Sequence, residues 1–305
     1  MIALDWQQTS EGLGAAYRAE AARTRAELYW DTEPTWEVVE HARRLGQVAG
    51  RIVRDSEGRW RGWSYFLNHR GSLQIGSVTA DDEEATRVLL ASILSSPEAC
   101  RASRVLLYAY AAAPGLVPAL RDRGFDIEPQ HYLVADLADS LGWLDERPVA
   151  AVDAPMVSLD DLSRCLAACY PMPDPRRPFA PGGTPAEWAE YVRALTQQSG
   201  CGILLPGVSQ MDRAPDGTLQ GVALVTHLAP QTAHLAQMAV LPHVRRAGVA
   251  RRLLRQAMHT AARTGHHRMT LLVAAGNRAA AALYETEGFR KTADFVSAVR
   301  VTRAD

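Results

Sequence analysis

The sequence predicts two tandem α/β domains, each built from helices and strands in the same order. Its 305 residues exceed the usual size of a single hydrophobic core. Segments with strand and helix periodicity alternate along both halves. The halves also repeat at one spacing, because Arg104 and Gly124 lie 164 positions before Arg268 and Gly288. A constant spacing between segments of matching predicted structure indicates a duplicated domain.

The composition is that of a folded, nearly neutral protein, with 47% hydrophobic residues and a net charge of -1. No apolar run approaches the roughly 20 residues that cross a bilayer. The N-terminus has no basic segment leading into an apolar one, so we expect a cytoplasmic protein with no membrane partner. No Cys-x-x-Cys pattern occurs, and we therefore predict no metal site and reduced thiols in the core. The four cysteines are Cys100, Cys165, Cys169 and Cys201.

The first copy is predicted to occupy residues 1–145. A hairpin turn is expected at Asp55-Ser56-Glu57-Gly58, between two strand-like runs. The predicted helices cover 12–30, 36–45, 82–95 and 116–123. The predicted strands cover 47–53, 62–67, 73–79, 105–109 and 130–137.

The second copy is predicted to occupy residues 146–305, after a proline-containing linker near 140–155. Ser158 is a suitable N-cap for a helix over 159–168. A second helix over 184–198 follows a proline-rich segment, 171–183, which is either a substrate loop or an ordered connector. The predicted strands cover 202–205, 221–226, 233–240 and 269–273.

The most informative stretch joins the strand over 233–240 to a helix that begins near Val249. At such a junction the first-turn amides lack intrahelical partners and the helix dipole favours negative charge. Gly248 and Ala250 are small enough for a pyrophosphate to approach the main chain. The region is rich in arginine and has no acidic residue between Asp216 and Glu285. The alternative is a solvated basic helix, but the spacing of the glycine and arginine favours an anion site.

Two motifs resemble the GNAT N-acetyltransferase superfamily. Arg245-x-x-Gly248-x-Ala250, preceded by Val240 and Pro242, is similar to its acetyl-CoA signature. The second motif follows at the expected distance and consists of a strand over 269–273, Asn277, Tyr284 and Gly288-Phe289. The resemblance covers roughly residues 202–301. It implies that each domain is a mixed, mostly antiparallel twisted sheet flanked by helices.

The resemblance also implies which residues bind acetyl-CoA as co-substrate. Main-chain groups at the end of the strand would hold the pantetheine arm, and the Met238 amide would face the thioester oxygen. The residues implied to bind the cofactor are Met238, Ala239, Val240, Arg245, Arg246, Ala247, Gly248, Val249, Ala250, Arg251, Asn277 and Tyr284. In the first copy Glu84 stands where Gly248 stands in the second. Carboxylates there would repel a pyrophosphate, so we expect a degenerate first domain with a structural or substrate-capping role.

Acetyl transfer to an amine needs a base and an acid, and each has a candidate. His234 lies four residues before Met238, so in an unbroken strand His234, Ala236 and Met238 would share a face. The resemblance implies a base at this position, although relatives also use a water chain, and a structural histidine is equally compatible. His227 is a weaker candidate. Tyr284 is the candidate acid for the leaving thiolate, or a residue that only packs against the cofactor.

We therefore predict an acetyl-CoA-dependent N-acetyltransferase that acts by direct attack of a primary amine of a small molecule or peptide. The alternative is a non-catalytic acyl-CoA-binding or regulatory protein. Nucleic-acid binding ranks last, because the arginine-rich stretch offers only Tyr284 for stacking. The acceptor is not identified by the sequence, and either a monomer or a homodimer is compatible with it.

Overall fold

A computed structural model describes residues 1–69, 71–138, 150–151, 158–177, 179–197 and 200–302. The chain forms two compact units. The first comprises Met1–Gln130 together with Ala293–Asp305, and the second comprises His131–Thr292. The chain thus divides earlier than the predicted boundary at 145/146, which lies outside the described residues. The C-terminal segment belongs with the first unit because its strand pairs there.

The first unit has one mixed sheet with helices on both faces. Its helices are α1 (Leu13–Leu28), α2 (Glu33–Arg44), α3 (Glu83–Leu94), α4 (Pro97–Arg101) and α5 (Leu116–Arg121). Its strands are β1 (Ile2–Asp5), β2 (Ala49–Arg54), β3 (Trp60–His69), β4 (Ser72–Ala80), β5 (Arg104–Tyr110) and most of β13 (Arg290–Val301). They are arranged in the order β1-β2-β3-β4-β5-β13. All pairs are antiparallel except β4 with β5.

The second unit repeats this plan. Its helices are α6 (Leu159–Cys169), α7 (Pro185–Thr196), α8 (Val249–Arg263) and α9 (Arg278–Thr286). Its strands are most of β6 (Asp126–Asp136), β7 (Ala150–Ala151), β8 (Ile203–Leu204), β9 (Gln210–Arg213), β10 (Leu219–Ala229), β11 (Thr232–Val240) and β12 (Arg268–Ala274). The sheet order is β6-β12-β11-β10-β9-β7, with β8 beside β10. The antiparallel β10–β11 pair and the parallel β11–β12 pair form its centre.

Two hydrophobic clusters cover the two faces of the second sheet. On one face, Leu253 and Leu254 of α8 pack against Leu235 and Leu271. On the other face, α6 and α7 pack against Val222 and Leu224 of β10. The buried residues of α8 recur at helical spacing, so the sequence predicts correctly which face of the helix is buried.

Capping side chains mark the starts of α6 and α7 in the second unit. The Ser158 side chain accepts a hydrogen bond from the Asp161 amide, which confirms the predicted N-cap of α6. Thr184 and Glu187 form a capping box at the start of α7. The predicted elements of both units are otherwise confirmed to within a few residues. None of the helices in the described ranges is both long and apolar enough to cross a membrane.

The same irregularity occurs in the central strand of each unit. In β11, Gln237 pairs with Leu224 and Leu235 pairs with Val225, so Ala236 is an extra residue and forms a β-bulge. In β4, Ser77 pairs with Tyr65 and Ile75 pairs with Phe66, which leaves Gly76 in the equivalent place. The two copies therefore share a backbone irregularity that no sequence motif marks.

Candidate active site

The turn between β11 and α8 has a backbone that few residues adopt. After the 3-10 turn Pro242–Val244, both Arg246 (φ 66°) and Gly248 (φ 78°) are in the left-handed region. Gly248 is the N-cap of α8 and supplies no side chain to the helix end. A Cβ at Gly248 would be strained at this φ whatever space surrounds it. The glycine thus leaves the start of α8 open to a ligand.

The backbone N–H groups from Arg246 through Arg251 form a row of free donors. Within the described residues, none of them has a hydrogen-bond acceptor. Ala247 and Ala250 in this row have small side chains, and both Ala247 and Gly248 are exposed. Consecutive free amides at the positive end of a helix fit a pyrophosphate. The predicted cofactor residues of this turn are therefore brought together in one cradle.

Arg245 has a structural role in the cradle. Its Nε donates to the carbonyl of Val240 at 3.0 Å, and its terminal nitrogen donates to the carbonyl of Cys169 at 3.1 Å. These bonds tie the end of β11 to the end of α6. The arginine of the signature thus shapes the turn, whereas its neighbour Arg246 is exposed and has no partner among the described residues.

The arginines of α8 are largely neutralised by carboxylates outside the acid-free stretch. Glu287, which is 3% exposed, accepts from Arg255 at 2.6 Å and pairs with Arg251 at 3.0 Å. Asp212 of β9 pairs with Arg252 at 3.2 Å. The local charge asymmetry in the sequence therefore overstates the positive potential of the folded surface. The buried Glu287 also joins α8 to the end of α9.

Beside the cradle, β11 and β12 separate. Their parallel pairing joins Thr232–Leu235 to Arg268–Leu271, whereas β11 continues to Val240 and β12 to Ala274. No pairing joins these remaining parts within the described residues. Ala236, Gln237 and Met238 follow the last paired residue and are half-buried. The result is an open strand edge that leads to the start of α8.

Two tyrosines that no sequence pattern singles out reach this part of β11. The Tyr170 hydroxyl at the end of α6 donates to the Met238 carbonyl at 2.7 Å. It also accepts a bond of 2.8 Å from the side-chain Nε2 of Gln237. The Tyr191 hydroxyl of α7 donates to the Ala236 carbonyl at 3.1 Å. Burial raises the pKa of Tyr170 to about 12, so it remains a donor at neutral pH.

His234 is buried, with 4% of its surface exposed. Its Nδ1 lies 2.8 Å from the Thr270 hydroxyl, and its ring stacks on Tyr132 at 6.4 Å. Burial lowers the pKa of His234 to about 4, so the imidazole is neutral at pH 7. These contacts support the interpretation of His234 as a structural residue. The lowered pKa also makes its neutral imidazole a weak base.

The expected alignment of His234, Ala236 and Met238 on one face is wrong. The bulge at Ala236 inserts a residue and reverses the alternation of side chains beyond it. Ala236 packs with the cluster under α6 and α7, whereas Met238 packs with the cluster under α8. The Met238 side chain thus lies on the opposite face from Ala236.

Tyr284 and Asn277 have different surroundings. Tyr284 packs against Phe289 at 5.7 Å, and burial together with the nearby Tyr170 raises the pKa of its phenol above the ordinary value. Its hydroxyl has no hydrogen-bond partner in the part of the chain that the structure describes. Asn277 caps α9 by accepting a bond from the Ala280 amide at 3.3 Å. Tyr284 thus keeps a free donor, and Asn277 performs the structural role that its position predicts.

The proline-rich segment is organised by Arg177. Its guanidinium lies 5.4 Å from the ring centre of Tyr170 and 5.5 Å from that of Trp188, and it donates to the Ala180 carbonyl at 2.8 Å. Phe179 stacks on Tyr191 at 4.3 Å. The described residues of the segment therefore pack over the two tyrosines that hold β11. Its contact with a substrate stays a prediction.

The first unit lacks the equivalent cradle. The Asp82 side chain accepts from the Ala85 amide at the start of α3 and pairs with Arg61. Glu83 and Glu84 occupy the first turn. Over the bulge in β4, the Tyr65 ring lies so close that a Cβ at Gly76 would approach it to 2.1 Å. A carboxylate thus occupies the helix start that is open in the second unit, and an aromatic ring covers the bulge.

Residues 159–289 match the acetyltransferase (GNAT) family. The second unit is therefore a GNAT domain, as the two sequence motifs predict. The chain also shares the fold of a tandem GNAT protein over 85% of its length.

Three solved structures illustrate the likeness of fold. A GCN5-related N-acetyltransferase from Sphaerobacter thermophilus is 16% identical, with a TM-score of 0.60 over 94% of this chain and 91% of that one. A tandem GNAT protein from the clavulanic acid biosynthesis pathway is 14% identical, with a TM-score of 0.55 over 85% of this chain and 84% of that one. A GNAT-family acetyltransferase from Colwellia psychrerythraea is 15% identical, with a TM-score of 0.51 over 84% and 86%. A comparison with curated proteins gave no match.

Proposed function

We propose that this chain is an acetyl-CoA-dependent N-acetyltransferase that acetylates a primary amine of a small molecule or peptide. The observation that carries the proposal is the row of free amides from Arg246 to Arg251 beside the open edge of β11. It lies in the unit that matches the GNAT family. We further propose that the first unit has a structural or substrate-capping role, and that the protein acts as a monomer or homodimer without nucleic acid or membrane.

The cradle amides would hold the pyrophosphate of acetyl-CoA, and the main chain of Met238 and Val240 would pair with its pantetheine amides. Bound there, acetyl-CoA supplies an acetyl group activated as a thioester. In a strand, the N–H and C=O of one residue point to the same side. The Met238 carbonyl faces Tyr170, so its N–H faces the same open side and can stabilise charge that develops on the thioester oxygen.

The amine must be neutral to attack, and the departing thiolate must gain a proton. His234 can accept a proton only through Nε2, because Nδ1 is engaged with Thr270. With a pKa near 4 it is a weak base, so a water chain in place of His234 is an equally good route for the proton. Tyr284 retains its proton at neutral pH, and its free hydroxyl can donate a hydrogen bond to the departing thiolate. Because burial raises its pKa, it is a weaker acid than an ordinary tyrosine.

The second candidate function is a non-catalytic acyl-CoA-binding or regulatory protein. The burial and low pKa of His234 favour it, since a histidine that stacks on Tyr132 needs no part in proton transfer. The two functions share the cradle and differ in turnover.

The decisive experiment is calorimetric titration with acetyl-CoA of the native protein and of Gly248→Glu. The matched control is Gly217→Glu, because Gly217 also has a positive φ (+87°) and nothing within 4 Å of an added Cβ. We expect Gly248→Glu to weaken binding at least tenfold and the control to bind normally. Equal loss in both variants, or no binding by the native protein, would overturn the proposed site.

Turnover is then measured by thiol release with a panel of small and peptide amines. Release of free thiol in the presence of an amine supports the acetyltransferase. Binding without release, across the whole panel, would favour the regulatory protein.

A further inference from the structure

Two histidines of the second unit meet at the end of the sheet that lies away from the cradle. His227 lies near the end of β10, and His266 lies in the turn between α8 and β12. β11 begins beside these segments at Thr232 and ends beside the cradle at Val240. The Nδ1 atom of His227 is 3.4 Å from the Nε2 atom of His266. The pair is 39 positions apart in the chain, so no sequence pattern could have shown it.

The second nitrogen of His266 fixes which ring atom carries its proton. Nδ1 of His266 lies 3.3 Å from the Ala261 carbonyl and 3.2 Å from the Thr264 hydroxyl. A carbonyl only accepts, so the Ala261 contact places the proton of the neutral imidazole on Nδ1. The lone pair of Nε2 is then directed at His227. A backbone carbonyl that orients a histidine in this way is the usual outer partner of a metal-binding imidazole.

The separation of the two nitrogens also fits two ligands of one metal ion. At 3.4 Å it lies near the outer limit of a hydrogen bond between the rings. Two imidazole nitrogens bound tetrahedrally to one ion at about 2.0–2.1 Å are separated by roughly 3.3–3.4 Å. The two ring planes are inclined at 70°, with their centres 5.7 Å apart.

We propose that His227 and His266 form a binding site for a divalent transition metal ion such as Zn²⁺. Imidazole selects Zn²⁺, Cu²⁺ and Ni²⁺ over Mg²⁺ and Ca²⁺, which prefer oxygen. Among the described residues, no group of three or more His, Cys, Asp or Glu side chains surrounds an ion. Water would complete the coordination, and the affinity is that of a two-ligand site. The ion would join the end of β10 to the α8–β12 turn and thereby stabilise the second unit.

The test is calorimetric titration of the full chain with ZnCl₂ at pH 7.5, without acetyl-CoA. We expect one equivalent of Zn²⁺ to bind, and binding to weaken at least tenfold in His227→Gln and in His266→Gln. The control is His243→Ala, an exposed histidine of the same unit, which should bind as the native protein does. MgCl₂ should give no saturable heat.

A second measurement keeps the test independent of folding defects. Electron paramagnetic resonance of the Cu²⁺-loaded protein should show two equivalent nitrogen ligands, reduced to one in either glutamine variant. Absence of saturable Zn²⁺ binding, or a site that persists unchanged in both variants, would overturn the proposal. Because the experiment omits acetyl-CoA, failure of this site leaves the proposed acetyltransferase untouched.

Discussion

His234 makes the stability of the protein depend on pH in a direction that the structure fixes. Its pKa is lowered from 6.5 to about 4 by burial, so the folded state holds the neutral imidazole while the unfolded chain binds a proton below pH 6.5. The stabilisation is complete above pH 6.5 and is lost as the pH falls towards 4. Stability should therefore rise with pH across this window.

The size of the effect follows from the same shift. One pKa unit corresponds to 1.36 kcal/mol, so the full shift is worth about 3 kcal/mol. Only part of it is lost by pH 5, where the unfolded histidine is almost fully protonated and the folded one is still mostly neutral. The expected loss in the free energy of unfolding between pH 7.5 and pH 5 is about 2 kcal/mol.

The assay is urea unfolding at pH 7.5 and at pH 5, for the native protein and for His234→Gln. Glutamine keeps a polar partner for Thr270 and does not titrate, so carboxylate contributions remain in both proteins and cancel in the comparison. The variant should lose about 2 kcal/mol less than the native protein between the two pH values. Equal pH dependence in both, or a His234 pKa above 6 measured by NMR, would refute the reasoning.

Three further predictions concern neighbouring residues. Glu287→Gln should lower the free energy of unfolding by about 1–3 kcal/mol, because two arginines lose a buried carboxylate. Urea unfolding of Arg255→Gln and of the double mutant checks this, since the double mutant should lose less stability than the sum of the two single losses. Tyr284→Phe should reduce kcat at least tenfold in the thiol-release assay and leave the calorimetric Kd for acetyl-CoA within about twofold, since only the proton donor is removed. An unchanged kcat would instead assign Tyr284 to packing, because phenylalanine keeps the ring and its contact with Phe289. Arg177→Lys should lower the thermal midpoint of unfolding, because lysine stacks less well on Tyr170 and Trp188. The control is Arg176→Lys, which should change the midpoint less, because Arg176 makes an ion pair with Asp174 and lysine keeps the charge.

The sequence was sufficient where a local rule determines the structure. Ser158 caps α6 because a serine side chain satisfies a free amide, and the apolar spacing of α8 selects its buried face. The start of α8 at Gly248 follows from the glycine motif in the same way. The repeat of 164 residues correctly makes β12 the counterpart of β5, and β13 the counterpart of β6.

The sequence was insufficient where the structure depends on pairing between distant residues. The bulge at Ala236 arises from the register of β10 with β11, and nothing in the order of residues 232–240 marks it. The contacts of Tyr170 and Tyr191 with β11 span 68 and 45 positions. Glu287 lies beyond the acid-free stretch that suggested a strongly basic surface, and only the packing of α9 on α8 brings it there.

The bulge at Gly76 has a consequence for how the two copies can change over time. Any side chain at position 76 would collide with the Tyr65 ring, and the start of α3 carries Asp82 with its arginine partner. The start of α3 cannot be opened without the loss of a capping contact, and the bulge cannot be uncovered without the loss of a packing contact. Each single step towards an open helix start therefore removes a contact that the first unit uses.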